Sequence, residues 1–104
     1  MKRSRRPSSQ TVRVLGALMV DPLAWRYGYE LGIELGLRSG SLYPILVRLS
    51  DRDLLEASWE TGIPHGRPPR HLYRLTPRGR EYAAEHTPAP ATLARRRHLQ
   101  LGRA

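Results

Sequence analysis

The stretch GLRSGSLYPILVRLSDRDLL, residues 36–55, opens with a glycine-bounded turn and continues as one strongly patterned helix. Leu42, Ile45, Leu46 and Leu49 recur at the i, i+3, i+4, i+7 spacing that lines apolar side chains along one helical face. Ser39 or Ser41 can cap the first turn, where a side-chain oxygen satisfies an amide that has no intrahelical partner. Pro44 damages a helix interior but costs little within a first turn. The helix is therefore expected to begin at about Gly40 to Leu42, with Ser41 the cap that suits the proline best. At about 100° per residue, Tyr43, Pro44, Val47 and Asp51 fall on the opposite face, flanked by Ser41 and Arg48. Hydroxyls, one aromatic ring, a small apolar group and a guanidinium then share a surface that can lie in a groove.

Upstream of this stretch the pattern is also helical. Trp25-Arg26-Tyr27-Gly28-Tyr29 leads into a short helix over about Gly28 to Leu35, with Leu31 and Leu35 one turn apart. Gly36 can stop it in a left-handed conformation. Gly32 weakens it on propensity, so tertiary packing must hold it. Two helices joined by a brief glycine-containing turn make a helix-turn-helix, whose second helix is the natural groove reader. A first helix is expected from about Ser9 to Met19, with Ser9 as cap and Val12, Leu15, Leu18 and Met19 buried. Asp21-Pro22 ends it. Residues 1–9 carry Lys2, Arg3, Arg5, Arg6 and Pro7 with almost nothing apolar, and read as a disordered basic arm that follows a minor groove or touches phosphates.

Downstream, the period changes to two. Leu55, Ala57 and Trp59 alternate with Glu56, Ser58 and Glu60, a half-buried strand. His71, Tyr73 and Leu75 alternate with Leu72, Arg74 and Thr76 in a second. The segment between them, TGIPHGRPPR at 61–70, is rich in chain breakers and basic groups and too long for a tight turn. Two strands joined by such a loop, directly after a helix-turn-helix, form a wing, and Arg67 in its Gly-Arg-Pro run suits a narrow minor groove. Thr76-Pro77 starts a last helix, cap and first position, that runs to about His86. The expected fold is mainly α with a two-stranded wing, an α+β winged helix-turn-helix over residues 10–86. Residues 87–104 form a proline-interrupted basic tail or a short helix.

Composition limits the function. A chain of 104 residues holds one small domain. Its formal charge of +9, from eighteen Lys+Arg against nine Asp+Glu, calls for a polyanionic partner. No apolar run can span a bilayer, and no signal-peptide core follows the N-terminus. Cysteine is absent, which removes disulfides and thiol chemistry and fits a cytoplasmic protein. His65, His71, His86 and His98 lack ligand spacing, so no metal is expected. Gly28, Gly32, Gly36 and Gly40 recur every fourth residue without the dinucleotide-binding pattern. With no catalytic constellation and no cofactor motif, an enzyme is not expected. Trp25 and Trp59 are read as core or interface packing.

The segments YGYEL (27–31), SGSLYPIL (39–46), Arg48-Leu49, Gly66-Arg67-Pro68 and YRLTP (73–77) resemble the PadR-like winged-helix transcriptional regulators, in order over about residues 10–86. That resemblance implies a DNA-binding homodimer, usually a repressor, whose terminal helices pack across the two-fold axis, and which often answers to a small aromatic or other hydrophobic effector. It places groove reading on Ser39, Ser41, Tyr43 and Pro44, and backbone contacts on the wing around Arg67 and Arg70. The family commonly has a longer final helix, which Pro88 and Pro90 interrupt here. With the helix face added, the candidate DNA-binding residues are Arg38, Ser39, Ser41, Tyr43, Pro44, Val47, Arg48, Arg67 and Arg70. The competing classes are a winged-helix protein-interaction module and a nonspecific nucleic-acid-binding protein.

Overall fold

A computed structural model describes residues 6–87. The bulk of the basic arm (1–5) and the tail beyond Thr87 lie outside the described residues. Four helices and three short strands follow in the order α1 (Ser9–Met19), β1 (Arg26–Tyr27), α2 (Gly28–Leu35), α3 (Ser39–Asp51), β2 (Leu55–Trp59), β3 (His71–Leu75) and α4 (Pro77–His86). The winged helix-turn-helix is thus present, and its sheet has one strand more than the wing itself. That extra strand, β1, pairs antiparallel with β3 on the side away from β2. Two residues carry too little local signal to be read as a strand; their partners, Leu72 and Tyr73, lie far along the chain.

The core is aliphatic but for Tyr73 and is shared by every helix. Val14, Leu15 and Leu18 of α1, Leu31 of α2, Leu42, Ile45, Leu46 and Leu49 of α3, Leu75 of β3 and Ala83 of α4 are buried in one cluster. Two details of α1 differ from the sequence reading. Its cap is Ser8, whose hydroxyl accepts from the Thr11 amide at 3.1 Å, one residue earlier than expected. Its buried face holds Thr11, Val14 and Ala17 with Leu15 and Leu18, while Val12 and Met19 are half-buried at the rim.

Local chemistry explains the joints on either side of α3. Gly36 sits at φ 68°, and the amides of Gly36 and Leu37 donate to the carbonyls of Ile33 and Gly32, the paired closure that a left-handed residue permits after a helix. The far end of α3 closes in the same way through Asp53 (φ 63°), with Asp53 and Leu54 donating to Ser50 and Leu49. Thr76 caps α4 by accepting from the Gly79 amide at 2.9 Å, and its own hydroxyl donates to the Asp53 carbonyl. Helix, wing and last helix are thereby tied at one corner.

Candidate nucleic-acid interface

Helix α3 divides cleanly. Leu42, Ile45, Leu46 and Leu49 are buried, whereas Ser39, Ser41, Tyr43, Pro44, Val47 and Arg48 are exposed, as is Arg38 just before the helix. The start of α3 is earlier than the sequence reading placed it. Arg38, extended and without a side-chain cap, offers its carbonyl to the amides of Ser41 and Leu42, so the helix begins at Ser39 and Ser41 is inside it. Pro44 consequently lies in the second turn, where its missing N–H leaves the Gly40 carbonyl without that helical partner. Both residues are exposed, so water can serve the freed carbonyl.

Tyr43 is exposed by 38 % but is not a free side chain. Its ring lies on the backbone of Gly28 at the start of α2, where a β-carbon would come within 2.8 Å of the hydroxyl and 3.0 Å of the ring. The Tyr73 hydroxyl is pushed up first by burial and then by the Tyr43 hydroxyl. Beside this contact, Tyr29 and Ile33 of α2 stand exposed, and with Leu37 and Tyr43 they line an open cleft of about 580 Å³ between α2 and α3.

The wing has two distinct faces, fixed by its register. Leu55 faces Leu75, Ala57 faces Tyr73 and Trp59 faces His71 on the side that joins the core. Only Leu55, Tyr73 and Leu75 find core there; Ala57 and Trp59 are exposed, because the hairpin outruns the helices beneath it. Trp59 is therefore neither core nor closed packing. Its ring stacks on His71 at 3.9 Å between centroids, and His71 meets Tyr73 edge-on at 5.8 Å. Trp25 is half-buried beneath the Arg74 guanidinium, 4.3 Å from its ring.

On the other face, Tyr27 stands beside Leu72 and Ser58, and alternation adds Glu60. Glu60 holds Arg67 through two hydrogen bonds, at 3.0 and 3.1 Å, and accepts the Tyr27 hydroxyl at 2.7 Å. These bonds, Arg67 first and Tyr27 second, bring the Glu60 carboxyl down to about 2. The same pair raises the Arg67 guanidinium and the Tyr27 hydroxyl. Arg67 is thus drawn back onto the outer face of the wing rather than left at its tip. Arg70 is exposed, its guanidinium 5.2 Å from the Tyr27 ring. The structure therefore gathers Arg38, Ser39, Ser41, Tyr43, Pro44, Val47 and Arg48 on one helix, and sets Arg67 and Arg70 apart from them at the wing.

The model of the transcriptional regulator PadR-like family matches residues 17–85. The chain belongs to this family. Among curated proteins, no relative matches it. PadR-like regulators also occur among the solved structures it resembles. A PadR-like transcription factor from Bacteroides fragilis is 25% identical with a TM-score of 0.61, the match covering 91% of this chain and 89% of that one. A PadR-like transcriptional regulator from Bacillus cereus is 26% identical with a TM-score of 0.60, covering 74% and 76%. The PcaV transcriptional regulator from Streptomyces coelicolor, solved with its natural ligand, shares the fold at 24% identity and a TM-score of 0.63. The match takes in 97% of this chain and 65% of that one, so this PadR-like chain spans about two thirds of its length. Among the described residues, no helix is long and apolar enough to cross a membrane.

Two features of this PadR-like domain escaped the sequence reading. The Glu60–Arg67 pair does not follow from the hairpin register, which sets Glu60 opposite Arg70, whose carbonyl accepts the Glu60 amide at 2.8 Å. The Trp59–His71 stack was visible as a cross-strand pair, but its exposure depends on where the core ends.

Proposed function

We propose that the chain is a sequence-specific repressor that binds double-stranded DNA as a homodimer on an inverted repeat. The observation that carries this reading is the outward face of α3, which is exposed along its whole length while the inward face is locked into the core. A helix of that width fits the major groove, which is about 12 Å wide. Ser39, Ser41, Tyr43, Pro44 and Val47 meet base edges and thymine methyls there, and Arg38 and Arg48 meet phosphates. Arg70 contacts backbone from the wing, and Arg67 holds the wing in shape through Glu60.

The protein works in the cytoplasm, with residues 10–86 as the binding domain between two basic ends. Dimerisation draws on the half-buried Val12 and Met19 and the exposed Val20 and Leu23 around α1; Leu15 is fully buried within the monomer and is not available for it. Winged-helix dimers place their half-sites about 34–36 Å apart. A small aromatic or other hydrophobic effector fits the cleft between α2 and α3, whose volume is in the usual range for ligand sites, roughly 300–1,000 Å³. Bound there, it would abut Tyr43 and Ser39.

A second reading, nonspecific nucleic-acid binding, has one observation in its favour. Lys2, Arg3, Arg5, Arg95, Arg96, Arg97 and Arg103 lie in segments 1–5 and 88–104, while all nine acidic residues lie in 6–87. The charge excess is thus mostly in the ends, where it serves any DNA equally. Selection of bound genomic fragments separates the readings. The repressor recovers an inverted repeat, holds it against excess random DNA and sediments on it as a dimer. Recovery of no common sequence would leave the nonspecific reading in place.

A further inference from the structure

We infer that the hollow where α1, α3 and α4 meet binds a small phosphate monoester, its phosphate held by Arg6, Arg48 and Arg52 and its organic part laid on an apolar lining. The hollow is an open cavity of about 360 Å³, within the usual range for ligand sites. It is lined by those three guanidiniums and by no carboxylate. None of the three is ion-paired among the described residues. The acidic side chains of α4, Glu81 and Glu85, line a separate hollow.

The remaining groups select a phosphate with something apolar attached. Ser8 and Thr11 line the cavity with their hydroxyls 2.9 Å apart; that bond uses one hydroxyl proton and leaves the other for a ligand oxygen. The same two residues bring the first turn of α1 to the site, and it holds no acidic side chain to offset its open amides and positive helix end. Planar guanidinium forks match the several oxygens of a phosphate dianion. The rest of the lining is Ile45, Leu49 and the Tyr82 ring, with Arg52 4.9 Å from that ring. Position decides the source of the phosphate. Arg48 and Arg52 follow Val47 by one and five residues, so they lie about 100° and 140° around α3 from it. The cavity therefore opens on the flank shared with α1 and α4, away from the face of Tyr43 and Val47, and suits a free small molecule rather than DNA lying against that face.

The test titrates the full chain, without DNA, with phenyl phosphate, inorganic phosphate and phenol in a calorimeter. Phenyl phosphate should bind saturably, one per chain, and more tightly than inorganic phosphate, while phenol should show no saturation. Arg6→Gln and Arg52→Gln should each weaken phenyl phosphate about tenfold or more, the scale of one lost hydrogen bond to a charged group. Arg70→Gln, on the wing, should match the parent. Arg48 stays in place because the DNA-binding reading also uses it. Arg6 lies ahead of the first helix, so its loss cannot be mistaken for a failure to fold. No saturable binding, equal binding of phenol, or an equal loss in Arg70→Gln overturns the site. A second titration with operator DNA settles the source. Arg52→Gln should leave the slope of log K against log salt unchanged; a slope flattened by about 0.9 means that a backbone phosphate occupies the cavity, and overturns the free ligand. The first titration contains no DNA, so failure of the site and failure of the DNA-binding reading are seen separately.

Discussion

The Tyr43 hydroxyl on α3 lies against the backbone of Gly28 on α2, where a β-carbon would stand 2.8 Å away. A side chain on the outward face of α3 is thus braced by the preceding helix, and a hydrogen at Gly28 is what permits it. Gly28→Ala should swing Tyr43 outward. The added alanine favours helix α2, by up to about 1 kcal/mol, so melting temperature should move by only a few degrees. Operator affinity should fall about tenfold, within the range for one base-edge contact. Tyr43→Phe keeps the ring against Gly28 and removes the hydroxyl, and should lose affinity with little change in stability. Melting curves beside binding isotherms for both variants decide this; equal operator affinity in Gly28→Ala would show that the orientation of Tyr43 is irrelevant.

Leu46 and Val47 are neighbours in α3 with opposite fates. Leu46 is 1 % exposed and Val47 56 %. Leu46→Ala leaves a cavity in the shared core and should cost about 2–5 kcal/mol. Val47→Ala should stay within about 0.5 kcal/mol of the parent. Its effect should appear as weaker operator binding, because two methyl groups no longer reach the groove. Chemical denaturation and mobility-shift titration of both proteins separate the two roles; destabilisation by Val47→Ala would mean that it packs against something in the folded protein.

What the sequence disclosed follows the range of the forces involved. Helix α2, its stop at Gly36 and the Thr76-Pro77 start of α4 depend on residues within one turn, and all are where the local pattern puts them. The leucine face of α3 is equally local. The start of α3 is not, because the turn after Gly36 is fixed by the Leu37 amide reaching back to Gly32, and the chain is helical before either serine can cap it. Strand β1 exists only through β3. In the candidate interface, the exposed residues of α3 were legible from period alone. Arg67 was not, since its partner Glu60 comes from the opposite arm of the hairpin.

Asp53 holds a left-handed conformation, φ 63°, that a side chain makes costly. The cost for an L-residue is roughly 1–2 kcal/mol, less for aspartate than for most. Asp53→Gly should therefore raise stability by up to about 1 kcal/mol, or several degrees in a domain of this size. Asp53→Ala should lower it. Thermal unfolding measures both, and a destabilised glycine variant would mean that the Asp53 carboxylate has a structural role of its own.

Removal of residues 2–5 takes away Lys2, Arg3 and Arg5 and leaves the Ser8 cap in place. Affinity should fall to a similar degree for operator and random DNA. The salt dependence should flatten, by about 0.9 for each phosphate that is no longer neutralised. Truncation through Ser8 would add a cost of about 1 kcal/mol for the cap and confuse the two effects. Should the shorter arm change which operator is preferred, these residues read sequence rather than phosphates.

The Glu60 carboxyl carries the pH dependence of the wing. Arg67, and after it Tyr27, hold it at about 2 against an ordinary 4.5. Because the folded state keeps the carboxyl ionised more readily than the unfolded chain does, the pairing is fully stabilising above about pH 4.5. It is lost as pH falls toward 2. Glu60→Gln removes the charge at every pH and should destabilise the hairpin near neutrality. The gap in melting temperature between parent and variant should then narrow as pH falls and close only near and below about pH 2, where the parent carboxyl is protonated too. The variant also frees Arg67 from its strongest partner, so nonspecific DNA affinity at neutral pH should rise slightly as that guanidinium becomes available. A gap that stays constant from neutral pH down to the acid limit would show that Glu60 supports the wing by shape alone, and that its charge contributes nothing.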